Sequence, residues 1–296
     1  MSKINEEGFL ELSGVNQIGV SNDALNAQRF PILQGMSPLN LRVLNQYSRI
    51  MHVSKGVEMM HAGDTPHDLY FIAEGSIAVA KQHAGKMKVI AQLKAGDVYG
   101  EYGALRGKTR FASIYTAQDS KIIRIDLNSF QQVIDADEDF RTRIFKLMKE
   151  RMLNSFLSGH PVFAGLDQGE RMGLSQGLTL IDLPRDELLF EAGSAASDHY
   201  MILSGEAEVR VRSEKQEMVV EIRRDNDVLG ETRAAKGSKY AYSVCAVNNL
   251  DLLLLNQAAM LHIKQLAPSV LPLLAQFMTK QAKKTTVAIQ KTRKTS

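Results

Sequence analysis

The chain has 296 residues, a single cysteine, 44% hydrophobic and 23% charged residues, and a formal net charge of +3. That length accommodates two ordinary domains with a core in each; the composition is that of a soluble globular chain, and the charge is too small to mark a nucleic-acid binder. The opening MSKINEEGFLELSGVNQIG carries early acids and lacks the apolar core of a signal peptide, and no apolar run approaches the roughly 18 residues of a membrane span. A cytoplasmic protein that is not secreted and has no membrane partner is expected.

In chain order, residues 1–29 read as an N-terminal extension and 30–155 as a first domain. The domain opens with an amphipathic helical stretch at 38–47. Short strands follow at 56–61, 69–73, 76–81, 87–93, 113–117 and 121–126, separated by glycine turns. Evenly spaced short strands with this punctuation predict a closed or double-sheet antiparallel roll. Phe130, Val133 and Ile134, then Phe140, Ile144, Leu147, Met148 and Met152, recur at helical spacing and predict helices with a core-facing stripe.

The loop 96–113 holds the residues that suit a ligand. Gly100, Gly103 and Ala104 let backbone approach closely, and a short helix starting there aims N–H groups and a positive dipole end at an anion. Arg110 offers a fork of charge-assisted donors to phosphate oxygens. Glu101 offers an acceptor for a sugar hydroxyl. Taken alone, the glycines also fit an ordinary turn and the arginine an ordinary solvated side chain, so both readings stand on these residues.

A single gapless shift lays the second half of the chain on the first. Pro31 meets Pro161, Gly35 meets Gly165, Gly63 meets Gly193, Tyr70 meets Tyr200, Gly75 meets Gly205, and Gly100-Glu101 meets Gly230-Glu231. Between Ala62 and Ser113 roughly fifteen of about fifty positions are identical, several times what unrelated sequences show. A second copy is therefore expected over 160–282, opening with a helical stretch at 167–177. The fold class is α+β: two tandem β-rolls of the jelly-roll type, each flanked by helices. Cys245, inside the strand-like YSVCAV, is expected to be a small buried hydrophobe. Residues 269–278, with Val270, Leu271, Leu273, Leu274 and Phe277, predict the helix that finishes the second domain. Lys280, Lys283, Lys284, Lys291, Arg293 and Lys294 follow without acids, and 283–296 is expected to be a solvated, frayed basic tail.

His52, His61, His67 and His83 do not sit with cysteines or acids at metal-ligand spacings, so no metal is expected. No GxSxG, Walker loop, paired catalytic carboxylates or kinase signature occurs, so no catalytic residue is assigned and no enzyme is expected.

The string Gly100-Glu101-x-x-x-Leu105-x-Gly107-x-x-Arg110-x-Ala112-Ser113 resembles, without a gap, the phosphate-binding cassette of cyclic nucleotide-binding domains. Ala62-Gly63-Asp64 and Tyr70-Phe71-Ile72-Ala73-Glu74-Gly75 resemble the segment that precedes it in that family, and the likeness extends over both modules. The resemblance implies a cyclic nucleotide ligand. Glu101 would bind the ribose 2′-hydroxyl, Arg110 the exocyclic phosphate oxygens, and the amides of Gly103 and Ala104 the other oxygen. Ile90 and Leu93 would line the apolar side, with Tyr102, Ala112 and Ser113 in the same cassette and Arg110 in a solvated pocket. Phe111 stands where the family usually has a small or hydroxylated residue, and binders of cyclic GMP often place threonine there. Phenylalanine has no hydroxyl to offer, so cyclic AMP is favoured over cyclic GMP. Thr109 replaces a common proline and Tyr99 a common phenylalanine. The second cassette, 230–243, keeps Gly230 and Glu231 but has Tyr240 in place of the arginine, with Lys239 or Arg233 as substitutes. A degenerate second site is expected.

The resulting expectation is a non-enzymatic sensor or regulatory protein. The first module holds the nucleotide, the second is structural or binds a partner, a helix at 140–154 closes over the first pocket, and a protein effector reads the change. Catabolite-activator-type transcription factors resemble one such module followed by a helix-turn-helix, for which the roughly forty residues after the second roll are too few. Regulatory subunits of cyclic-AMP-dependent protein kinase resemble the tandem arrangement, but the stretch before Pro31 shows no arginine-rich pseudosubstrate. Two alternatives stand beside this reading: a ligand-independent protein-interaction scaffold, and a nucleic-acid-binding regulator acting through the basic tail. A homo-oligomer is compatible with the sequence.

Overall fold

The computed structural model describes residues 3–4, 10–11, 15–17, 24–83, 86–107, 109–110, 112–212, 216–231 and 238–295. The chain divides into two compact units, Met1–Lys149 and Glu150–Ser296.

In the first unit β1 (Lys3–Ile4) pairs with β2 (Leu10–Glu11), and β3 (Val15–Gln17) lies at a sheet edge. A 3-10 turn at Pro31–Leu33 leads to α1 (Pro38–Gln46). Ser37 caps this helix, its Oγ accepting from the Asn40 amide at 3.1 Å, and Pro38 occupies the first helical position, where no donor is lost. Then come β4 (Ser48–Val53), β5 (Glu58–Met60), β6 (Asp68–Glu74), β7 (Ser76–His83), β8 (Lys86–Lys94) and β9 (Val98–Tyr99). A short α2 (Glu101–Arg106) interrupts the strands before β10 (Ser113–Thr116) and β11 (Ser120–Asp126). The unit continues into α3 (Leu127–Ala136) and the start of α4 (Glu138–Gly159). Two antiparallel sheets result, in the orders β3-β4-β11-β6-β9 and β5-β10-β7-β8. β4 and β9 are absent from the sequence-based strand set, because SRIMHV alternates too weakly and β9 is only two residues long.

The helix pattern is as expected. Phe130, Val133, Ile134, Phe140, Ile144 and Met148 are buried, and Phe130 meets Phe140 edge to face at 6.0 Å. Each such side chain contributes about 2–3 kcal/mol through burial.

The second unit repeats the pattern with α5 (Gln168–Gly177), β12 (Thr179–Leu183), β13 (Leu188–Phe190), β14 (His199–Ser204), β15 (Ala207–Arg212), β16 (Glu217–Arg223), β17 (Val228–Leu229), β18 (Ser243–Ala246), β19 (Leu250–Leu255), α6 (Gln257–Leu266) and α7 (Val270–Thr295). Its sheets are ordered β12-β19-β14-β17 and β13-β18-β15-β16, the orders of the first unit without its extra edge strand. The repeat extends to the caps. Asp167, which the gapless shift lays on Ser37, caps α5, while Asp126 and Asn256 cap α3 and α6. Cys245 is buried in β18.

One expectation is overturned. Over its described part, 283–295, the expected frayed tail is helix, because α7 continues to Thr295, and Gln281 and Thr285 are only 8% and 2% exposed. Helix-favouring Ala, Gln and Lys residues carry the chain onward, the hydroxyls of Thr286 and Thr292 bond to the carbonyls four residues back, and one face of the helix finds buried partners on the second roll. Among the described residues no helix is long and apolar enough to cross a membrane, and no group of His, Cys, Asp and Glu side chains is placed to hold a metal.

Candidate functional site

The cassette of the first unit begins where β9 ends in Gly100, whose φ of +90° lies in the left-handed region. A Cβ there would sit 3.0 Å from Arg110 Nη1 and 3.2 Å from the Asp68 carbonyl oxygen, so glycine is required for both conformation and space. The reversal starts α2 at Glu101, and Glu101, Tyr102, Gly103 and Ala104 are all buried. The Ala104 amide donates to the Gly100 carbonyl at 3.3 Å, so the donor that the resemblance assigns to phosphate is engaged in the first turn of the helix.

Arg110 is held in place at its backbone and at its head. Its amide donates to the Asp64 carbonyl at 2.8 Å, and its carbonyl accepts from the Gly63 amide at 2.9 Å. Its Nη1 donates to the Gly100 carbonyl at 3.1 Å and its Nη2 to the Asp68 carbonyl at 2.7 Å. The Asp68 carboxylate is turned to Arg124 Nε at 2.8 Å. Among the described residues no carboxylate lies at ion-pair distance from Arg110, and the residue is only 6% exposed. Burial pulls it below the ordinary arginine value, while Tyr70, Asp68, Tyr99 and Asp64 pull the other way. The expected solvated pocket for Arg110 is therefore corrected: packing of the cassette against β6, with Tyr70 and Tyr99 stacked 4.9 Å apart close by, removes the side chain from water.

Ser113 and Ala112 are buried, and Ser113 Oγ accepts from the Ala62 amide at 3.0 Å. Leu93 packs against the core of the roll, and Ile90 is half-buried at a bulge in β8. Phe111, which carries the preference between nucleotides, lies outside the described residues.

The second cassette is built on the same frame. Ser243 Oγ accepts from the Ala192 amide at 3.0 Å, the Tyr240 amide and carbonyl bond to Ser194 and Gly193, and Gly230 has φ +77°. Its chemistry differs. The Tyr240 hydroxyl donates to the Asp198 carbonyl at 2.8 Å. Glu231, buried, pairs through Oε1 with Arg223 Nη2 at 2.8 Å and accepts at Oε2 from the Tyr242 hydroxyl. Of the two residues expected to stand in for the arginine, Lys239 is exposed on the backbone bridge to Ala195 and Arg233 lies outside the described residues; the cation that meets Glu231 is Arg223. Sequence reasoning missed Arg223, Tyr242 and Thr285. The internal repeat contains a signal for the first two, since they stand opposite the apolar Leu93 and the small Ala112.

A family model for the cyclic nucleotide-binding domain matches residues 50–137 and again 180–265, and each stretch contains one of the two cassettes. The chain belongs to the cyclic nucleotide-binding domain family. It carries two such domains in tandem. Similar curated proteins include the cAMP-activated global transcriptional regulator CRP of Pasteurella multocida strain Pm70, 30% identical over 99 residues that make up 33% of this chain and 47% of that one. Another is the cAMP-dependent protein kinase regulatory subunit of Mycosarcoma maydis, 25% identical over 156 residues, 53% of this chain and 28% of that one. The matches thus span less than half the length of either relative. Among solved structures, the regulatory domain of Toxoplasma gondii PKA with cAMP is 18% identical, with 84% of this chain and 92% of that chain covered and a TM-score of 0.39.

Proposed function

We propose that the first cyclic nucleotide-binding domain is the ligand-binding one and that the protein is a non-enzymatic, cytoplasmic sensor of a cyclic nucleotide, with cyclic AMP favoured over cyclic GMP. The observation that supports this is the Arg110 guanidinium: buried, oriented by the Gly100 and Asp68 carbonyls, and with no carboxylate at ion-pair distance among the described residues. A buried cation in that setting is stabilised by an anion that replaces its lost hydration, and a singly charged cyclic phosphate supplies one at the mouth of α2. Glu101 on the first turn of α2 takes the ribose hydroxyl in this reading, the Gly103 amide and Ser113 complete the cradle, and Ile90 and Leu93 face the base. The second domain is structural or partner-binding. Nucleotide acts by favouring one packing of helix 140–154 over another, and a protein effector reads the difference.

Calorimetric titration of cyclic AMP and cyclic GMP into the purified protein tests this. The expected result is saturable binding near about one nucleotide per chain, weakened about a hundredfold or more in Arg110→Ala, since two charge-assisted bonds at about 1.5–3 kcal/mol each are lost. No heat from either nucleotide would replace the sensor with the ligand-independent scaffold.

A further inference from the structure

Strand register places Leu93 and Arg223 at one position of the two rolls: Leu93 sits opposite Ile77 on β7, Arg223 sits opposite Ala207 on β15, and the gapless shift lays each of the second pair on its counterpart in the first. In the first roll the side chain is apolar. In the second it is a guanidinium with no solvent exposure, and its contacts are made within its own unit. Nη2 reaches Glu231 Oε1 at 2.8 Å, Nε reaches Glu221 Oε2 at 3.1 Å, and Nη1 donates to the Val228 carbonyl at 3.0 Å. Nη2 also donates to the Thr285 hydroxyl on α7, whose oxygen lies 2.9 Å from Glu231 Oε1. Gln281, one turn earlier on α7, is buried with its side-chain amide against the same guanidinium, and Lys284 Nζ meets Glu221 Oε1 at 2.9 Å. Two cations, the buried Arg223 and the largely exposed Lys284, thus face two carboxylates, Glu221 and Glu231.

We propose that Arg223 is a built-in counter-ion of the second domain: it occupies Glu231, which the first domain's Glu101 matches, and fastens α7 to β16 without any nucleotide. The carboxylate and the guanidinium are both buried, so parting them would leave two uncompensated charges out of water, and α7 supplies the Thr285 hydroxyl, which bonds to both. The inference rests on the proposed function only for the identity of the ligand shut out; the fastening of α7 is independent of it.

Hydrogen exchange along α7 tests the proposal. In Arg223→Leu/Glu231→Gln, which removes the pair without stranding either charge, exchange over 281–289 is expected to quicken by at least about tenfold, with β6 and β11 unchanged. If that double variant does not fold, Thr285→Val carries the test, with a smaller quickening confined to the same stretch. Wild-type protection of α7 in the folded variants overturns the proposal. In Arg110→Tyr, or Arg110→Lys should that not fold, cyclic AMP is expected to leave α7 exchange unaltered; slowing at 281–289 on nucleotide addition also overturns it. Absence of any nucleotide binding to the wild-type protein would sink the sensor reading and leave the α7 result standing.

Discussion

Tyr240 donates its hydroxyl to the Asp198 carbonyl at 2.8 Å, the bond that Arg110 makes to the Asp68 carbonyl at 2.7 Å in the matching place of the first cassette. Tying the cassette to the neighbouring strand and presenting a positive charge are therefore separable tasks. Arg110 does the first and can do the second, whereas tyrosine can do only the first.

Tyr240→Phe tests the structural half. The ring keeps its stacking on Phe190, 3.8 Å between centroids, but the Asp198 carbonyl loses its donor. A loss of about 1 kcal/mol is expected in urea unfolding. No loss would mean that water replaces the hydroxyl at no cost.

Arg110→Tyr tests the other half. It copies the second cassette, so it is expected to lose nucleotide binding in calorimetry while unfolding within about 1 kcal/mol of wild type; Arg110→Ala, without either tie, is expected to cost about 2 kcal/mol. Retained binding in Arg110→Tyr would remove the arginine from the ligand site.

Glycines in the left-handed region should divide into two classes. A Cβ on Gly75, at φ +92°, would collide with Ser120 Oγ and lie 2.7 Å from the Asp119 carbonyl, and one on Gly205, at φ +111°, would lie 2.7 Å from the Asn249 carbonyl. Alanine at either position is expected to cost more than about 3 kcal/mol, because backbone must move. Gly63 and Gly193 have similar φ with nothing within 4 Å, so alanine there should cost only the conformational strain, about 1–2 kcal/mol. Denaturant midpoints of the four variants separate the classes.

His160 should make the protein sensitive to mild acid. It is fully buried, its ring meets Phe156, Phe163 and Phe277, and burial pulls its pKa from 6.5 to about 4, against a weaker pull from the Asn226 carbonyl. Above pH 6.5 both folded and unfolded chains hold it neutral, and its contribution is intact. As pH falls from 6.5 toward 4 only the unfolded chain takes up the proton, so stability drains by up to about 3 kcal/mol and then levels off. Comparing urea unfolding at several pH values in wild type and His160→Gln checks this; an equal slope in both would exclude the histidine as the cause.

Much of the architecture was legible because it is written in local residues. Glycines at fixed spacing mark turns that admit positive φ, and the period-2 runs between them mark the strands. Internal repetition made each reading twice testable, and the sheet orders agree between units. The expected frayed tail failed for a different reason. A basic helix end without acids of its own reads as solvated until the distant Glu221 and Glu231 are placed beside it.

By itself, then, the sequence determined two tandem rolls, their cassettes, and which cassette retains its arginine, since these follow from residue type and spacing along one stretch of chain. Only tertiary structure decided that Arg110 is buried rather than solvated and that Arg223 meets Glu231 and, far along the chain, Thr285. Burial and pairing depend on which side chains converge from separate strands and helices, and the charge balance at each site is the outcome of that convergence.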